Sequence, residues 1–368
     1  MQLQLDVNKT YAVALEGGGA RGAYEIGVWK ALQEAGIRFD AVSGTSVGAL
    51  NGALMAAGDL EKAVGCWENI RLSQVIRLTP REEKRLGNLL KGKIDLGEIR
   101  SFQNLQENLN QVSGIVRNRG LDIAPLRQWI ARIVDPAALK RSPVELYVTT
   151  VNLSDKKTQE IRIRDIPEEQ ICDMLMASAY HPTFRQEKLG GKYYADGGFF
   201  DTLPLHALTA SGHKDIIAVR LPSVGVERIF RLPPDVKVTL IKSRVNLGGV
   251  LNFTAEQARF DLKVGYYDGL RMLYGLKGET YYIDAVMSET EAMAALAERR
   301  LFKGRSGSLC RFMEIELPAR ALTMGVLEKS YRNYLLALLE KEAAAKKIDP
   351  YQVLTDRELF DLLTKTSE

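Results

Sequence analysis

The stretch YAVALEGGGARGAYEIG, residues 11–27, decides how the chain begins to fold. Tyr11–Leu15 is an uninterrupted apolar run, the length of a strand buried on both faces. From Gly22 to Ala35 the residues Tyr24, Val28, Ala31 and Leu32 recur at helical spacing, and Gly36 stands where a helix would be capped. Gly17, Gly18, Gly19 and Gly22 fill the junction. A strand, a glycine turn and a helix in this order predict the first unit of a mostly parallel sheet. The same letters match the dinucleotide pattern G-x-G-x-x-G at Gly17, Gly19 and Gly22. That reading needs an acidic residue at the end of the second strand, about 20 residues on. Asp40 has the distance, but it stands at the start of the short strand Asp40–Ser43, whose end carries something else.

The end of that strand runs into AVSGTSVGALNG, residues 41–52, containing Gly44-Thr45-Ser46-Val47-Gly48. A G-x-S-x-G occurs by chance in about one chain in eight of this length, so its context decides. Here it closes an apolar strand and opens the small-residue helix Val47–Ala57, the setting of a nucleophile elbow. Gly44 and Gly48 let the flanking backbones approach, and the helix N-terminus favours developing negative charge near Ser46. The plainer alternative is a serine that only caps its helix. A nucleophilic serine also needs donors for a tetrahedral oxygen. The N–H groups of Gly17, Gly18 and Gly19, at the end of the neighbouring strand, are suited to be those donors. Arg21 would fix that loop or meet an anionic part of a substrate.

A third stretch, ASAYHPTFRQEKLGGKYYADGGFFDTLP, residues 177–204, places Asp196 after the apolar Tyr193–Ala195 and before Gly197 and Gly198. A carboxylate at a strand end followed by a glycine turn can reach into a site; an ordinary turn aspartate is the alternative. Working outward, Asp59–Ile70 and Pro167–Ala179 read as helices, and Val144–Leu153, Ile216–Leu221 and Val236–Ile241 as strands. After about residue 250 long amphipathic helices take over, such as Ala255–Tyr274 and Gly325–Lys347. The expected architecture is an α/β domain over residues 1–250, its mostly parallel central sheet covered by helices on both faces. A mainly helical C-terminal region, 251–368, is appended to it.

With 46% apolar and 26% charged residues the composition is ordinarily globular, and the net charge of +4 does not suggest nucleic acid. Cys66, Cys172 and Cys310 are scattered, which indicates neither a disulfide framework nor a zinc site. The start of the chain lacks a basic segment followed by an apolar one, and no run approaches 18 apolar residues. A cytoplasmic protein with no cofactor and no metal is the expectation.

Together the three stretches resemble the patatin-like phospholipase family. The resemblance rests on Gly17-Gly18-Gly19-Ala20-Arg21-Gly22, Gly44-Thr45-Ser46-Val47-Gly48 and Asp196-Gly197-Gly198, with Ala177-Ser178 before the aspartate and Pro204 after it. It extends over roughly residues 10–220, and the later LGGVLNF…GYYDGLRMLYGLKGETYYI looks like the continuation in bacterial members. It implies a fold related to the α/β-hydrolases and a metal-free Ser46–Asp196 dyad that deacylates phospholipids or related acyl-glycerol esters. An oxyanion hole over Gly17, Gly18, Gly19, Arg21 and Gly22 is implied with it. Gly44, Gly48, Gly197 and Gly198 would support the turns. The partner would be a lipid substrate at a membrane surface. A non-catalytic lipid- or nucleotide-binding protein on the same fold is the alternative. The family often has Asn two residues before the proline where Thr202 stands, which leaves the polar support of that loop open. His181, His206 and His213 are the other bases available for a triad; chain order would allow Ser46, Asp196 and His206 or His213. His181 precedes Pro182, in extended chain, and His206 falls in a helix-like stretch beginning near Leu203. Finally, Arg71–Arg100 carries eight Lys/Arg and four Asp/Glu among aliphatic residues. It reads as a lid or interfacial anchor within an insertion at 71–120, or as a solvated amphipathic helix packed on the domain.

Overall fold

The fold is that of a computed structural model, which describes residues 1–78, 120–222, 225–226, 228, 231–302 and 308–365. Two compact units are present: Asp6–Gly269, and Met1–Leu5 together with Leu270–Glu368. The division falls at 269/270, inside a long helix, where the sequence reading divided the chain at 250/251.

In the larger unit β1 (Thr10–Leu15) and β2 (Arg38–Thr45) flank α1 (Ala23–Glu34), as the opening stretch predicts. From Tyr11 to Leu15 every residue of β1 is buried, which is why this strand is a continuous apolar run and does not alternate. After β2 come α2 (Val47–Ala57) and α3 (Leu60–Glu68), the latter capped by Asp59, whose carboxylate accepts the Lys62 N–H. Further on lie α4 (Ala124–Ile133), α5 (Pro136–Arg141), β3 (Glu145–Asn152), β4 (Lys157–Arg162) and α6 (Ile171–Ser178). They are followed by β5 (Tyr194–Asp196), α7 (Leu205–Ala210), β6 (Asp215–Arg220), β7 (Lys237–Lys242) and α8 (Ala255–Tyr274). The sheet order is β4-β3-β2-β1-β6-β7. Pairing is parallel from β3 across to β7, and β4 and β5 join β3 antiparallel. The sheet is therefore mostly parallel, with β1 and β2 at its centre.

One detail of register positions the site. Along one edge of β3, β2 pairs as far as Thr45 opposite Thr149, and there it stops. The next residue of β3, Thr150, is opposite Asp196 of β5. Because β4 occupies the other edge of β3 over the same residues, β5 takes up the edge that β2 vacates. The chain leaving β2 at Ser46 and the chain arriving at Asp196 thus meet head-on.

The smaller unit has its own core of Leu296, Leu317, Leu335, Leu339, Leu359 and Leu363 from helices Glu289–Phe302, Leu317–Thr323, Tyr331–Ala345 and Asp356–Lys365. It also contains a two-stranded parallel pair, Tyr282–Asp284 with Val353–Thr355, which the reading of this region as helices does not include. At three residues each, these strands are too short to show a period. Among the described residues no helix is long and apolar enough to cross a membrane.

Candidate active site

Ser46 sits between β2 and α2 with φ 57° and ψ −128°, one of three non-glycine residues with positive φ among those described. A serine held there is strained by roughly 1–3 kcal/mol, and the packing around it must enforce the turn. A Cβ on Gly44 would lie 2.3 Å from the Gly48 carbonyl oxygen, and one on Gly48 would lie 2.7 Å from that of Leu15. No other residue fits at either place. The Ser46 hydroxyl caps nothing, although Ser46 is at the N-cap position. Its Oγ donates to Asp196 Oδ2 at 2.7 Å, and its N–H donates to Ser178 Oγ at 2.9 Å, which in turn donates to the Thr149 carbonyl.

Asp196 is buried, and its two oxygens divide the work. Oδ1 accepts the Gly198 N–H at 2.8 Å, the ordinary turn bond, and leaves Oδ2 to Ser46. Burial pushes the carboxyl up from 3.8 to about 6, against the opposing pull of these two hydrogen bonds. Glycine is forced at 197, where a Cβ would lie 2.2 Å from the Thr149 carbonyl. Thr202 gives the loop its backbone N–H, donated to Val226, while the polar support comes from Asp201. The Asp201 carbonyl accepts Thr45 Oγ1 at 2.8 Å, and its carboxylate accepts the Leu203 N–H.

The glycine loop lies against the elbow: a Cβ on Gly17 would be 2.2 Å from the Thr45 oxygen and 3.0 Å from the Gly48 nitrogen. One expectation about this loop is corrected and another is narrowed. The Gly17 N–H is turned inward and donates to Glu25 Oε1 at 2.8 Å, so it is not an oxyanion donor. Of the two roles read for Arg21, fixing the loop or meeting an anionic part of a substrate, its contacts support the first. Its side chain is buried, with Nε donating to the Gly248 carbonyl at 2.7 Å and Nη1 to that of Pro222, and so it braces the loop. Gly22 is a packing residue, since a Cβ there would lie 2.1 Å from Val47 Cγ1. Among the described residues the N–H groups of Gly18, Gly19 and Val47 donate to no protein group. These three remain available for an oxygen.

The histidines are engaged elsewhere. His206 Nδ1 is 2.7 Å from Glu160 Oε2, His213 Nε2 is 3.3 Å from Asp40, and His181 Nδ1 is 2.9 Å from Thr183 Oγ1. Asp40 lies near the start of β2, about 17 Å along the strand from its C-terminal end, which removes it from any ligand at the glycine loop. Most of the basic stretch Arg71–Arg100 and of the insertion 71–120 lies outside the described residues.

Three residues beside the site went unnoticed in the sequence as functional: Ser178, Glu25 and Asn51. For Glu25 a signal existed, because it falls on the same helical stripe as Val28, Trp29 and Leu32 and is fully buried with them.

A serine on a strained strand-to-helix turn, at the C-terminal edge of a mostly parallel sheet, has the geometry of a nucleophile elbow in an α/β protein. A family model described as patatin-like phospholipase matches residues 13–209, and the chain belongs to that family of lipid hydrolases. It is 27% identical over 219 residues to the lysophospholipase nte1 of Aspergillus terreus, and 26% identical over 216 residues to that of Pyricularia oryzae. Each match covers 59% of this chain but only 12% of the relative. Among solved structures, VipD from Legionella pneumophila is similar with a TM-score of 0.43 and 16% identity, covering 96% of this chain and 83% of that one. The type III effector protein ExoU is similar with a TM-score of 0.33 and 17% identity, covering 98% and 75%.

Proposed function

We propose that the chain is a serine hydrolase that removes fatty acyl groups from phospholipids, lysophospholipids or related glycerol esters at a lipid surface, through an acyl-enzyme formed on Ser46. The observation that carries this reading is the 2.7 Å hydrogen bond from Ser46 Oγ to a buried carboxylate. As Oγ attacks the ester carbonyl, its proton passes to Asp196 Oδ2. The carbonyl oxygen becomes an oxyanion, and the N–H groups of Gly18 and Gly19 are its donors. Each such donor is worth about 10²–10³ in rate. Collapse breaks the ester C–O bond, and the departing alcohol or lysolipid takes the proton from Asp196. Water then repeats the sequence: it gives a proton to Asp196, attacks the acyl carbon, and releases the fatty acid as the proton returns to Ser46. An aspartate at its usual pKa would be a feeble base at neutral pH; one raised to about 6 lies much closer to the working range.

Covalent labelling by a fluorophosphonate tests the reading, followed by a panel of lipid esters. Wild type should label and hydrolyse, and Ser46→Ala should do neither while keeping its fold. Labelling that persists without the Ser46 hydroxyl refutes the assignment, and a folded wild type inert to both supports a binding protein instead.

A further inference from the structure

Behind the glycine loop lies a closed hydrogen-bond chain that the mechanism above does not use. Trp67 Nε1, a group that can only donate, gives its proton to Asn51 Oδ1 at 2.9 Å. This fixes the Asn51 amide, so its Nδ2 must face the other way. There it donates to the Gly22 carbonyl at 2.9 Å and to Glu25 Oε2 at 2.7 Å. The other Glu25 oxygen accepts the Gly17 N–H. Both carboxylate oxygens therefore face donors, and all five participants are buried. The ionised carboxylate satisfies this arrangement as it stands, whereas a proton on either oxygen would weaken that oxygen as the acceptor of the N–H it faces.

The consequence reaches the catalytic elements. Gly17 begins the loop after β1, Gly22 ends it, and Asn51 is on α2, five residues beyond Ser46. We propose that Glu25 is a positioning residue: as a carboxylate paired with Asn51, it holds the Gly17 N–H inward and the glycine loop against the serine-bearing helix. The N–H groups of Gly18 and Gly19 are thereby left for the oxyanion. This rests on the assignment of Ser46 as nucleophile. Protonation of Glu25 would loosen the tie and misplace the donors, which makes the loop sensitive to pH. The groups facing Glu25 are the Gly17 N–H from the loop and Asn51 from α2, and the one other charge acting on it is that of Glu16. Desolvation, helped by that negative charge, raises the carboxyl to about 7 despite the two hydrogen bonds. The switch would lie close to neutrality.

Three measurements on the full chain test this. In wild type, hydrolysis of a soluble short-chain ester should require two ionised carboxylates, Asp196 and Glu25. Over the pH range in which the protein stays folded, log kcat/KM should then approach a slope of two on the acid side. Glu25→Gln presents an amide donor where an acceptor is needed. It should lower kcat at least about 100-fold, change KM less than about threefold, and reduce the acid slope to one. A wild-type slope of one, or a Glu25→Gln enzyme with unchanged kcat, overturns the proposal. A readout independent of catalysis separates it from the functional reading. In Ser46→Ala protein the Gly17 amide resonance should titrate near pH 7, and it should not do so once Glu25→Gln is added. No movement of that resonance overturns the positioning role whatever the activity; movement in a protein whose wild type neither labels nor hydrolyses overturns the nucleophile assignment and leaves the tie in place.

Discussion

Replacing Asp196 by Asn should make the protein more stable while abolishing its activity, and the gain should depend on pH. The isosteric amide leaves every contact satisfied: its oxygen accepts the Gly198 N–H and its NH₂ donates to Ser46 Oγ, which can accept. What it removes is the cost of keeping an ionised carboxylate in a buried place. The sign comes from proton linkage. The folded-state pKa, about 6, lies above the ordinary 3.8, so between these values the folded form holds more protons than the unfolded. Wild-type stability attributable to this group therefore falls as pH rises through that window and is level above it. The rise from 3.8 to about 6 corresponds to about 3 kcal/mol. Asp196→Asn carries no such charge, so its advantage over wild type should be small near pH 4 and reach about 3 kcal/mol by pH 7–8. In a thermal melt this is a shift of roughly 5–10 °C for a unit of this size. Other titrating groups, Glu25 included, are common to both proteins and cancel in the difference. The assay is a pair of melts at pH 4.5 and pH 8, alongside ester hydrolysis. An Asn variant less stable than wild type at pH 8, or equally displaced at both pH values, would refute the argument that burial raises this carboxyl. Hydrolysis near the wild-type rate would remove Asp196 from the role of base.

His206→Ala and His213→Ala should keep ester hydrolysis within roughly tenfold of wild type, about 1.4 kcal/mol. Their rings pair with Glu160 and Asp40, and a loss of several decades in either folded variant would restore a triad. Arg21→Ala should lower kcat more than it raises KM, since the guanidinium braces the loop through the carbonyls of Pro222 and Gly248. Two charge-assisted hydrogen bonds are lost with it, so the melting transition should drop by the equivalent of about 3 kcal/mol. A pure KM effect at unchanged stability would instead make Arg21 a contact to substrate.

Much of this was legible in the residues themselves, for identifiable reasons. The run Tyr11–Leu15 is buried along its length, so its hydrophobicity is unbroken. The glycines at 44 and 48 mark places where a Cβ would overlap backbone, and steric exclusion of that kind writes itself into sequence. Val47–Ala57 and Ala255–Tyr274 have the bounds their periodicity predicts. The meeting of Ser46 with Asp196 was not legible in this way. It depends on β5 succeeding β2 along one edge of β3, and a three-residue antiparallel strand 150 positions away leaves no periodic trace; the resemblance to a family supplied it. The fate of the Gly17 N–H was hidden for another reason. Three adjacent glycines look equally able to donate, and only the buried Glu25 beneath them distinguishes the first from the next two.

Asp196 and Glu25 are both buried at this site, and both stand above their ordinary pKa values because of that burial. Each must be ionised to act, Asp196 to take a proton and Glu25 to accept from two donors at once. Activity is therefore expected to rise with pH up to about 6 to 7, and the contribution of these groups to stability falls over the range from their ordinary values up to those same limits. The molecule works on the unfavourable side of its own titration. What holds it there is the apolar packing around the site: β1 buried from Tyr11 to Leu15, the wholly buried Trp67 and Leu50, and α2 pressed so closely to the loop that Gly17, Gly44 and Gly48 admit no side chain. The same packing holds Ser46 in its strained turn. Hydration of either carboxylate would lower its pKa, and hydration of Asp196 would also weaken it as a base, so the tightness of this layer is itself a condition for the proposed chemistry. A change that opens it without touching a polar group, such as Leu50→Ala, should thus move the acid limb of the pH profile downward as it destabilises the fold.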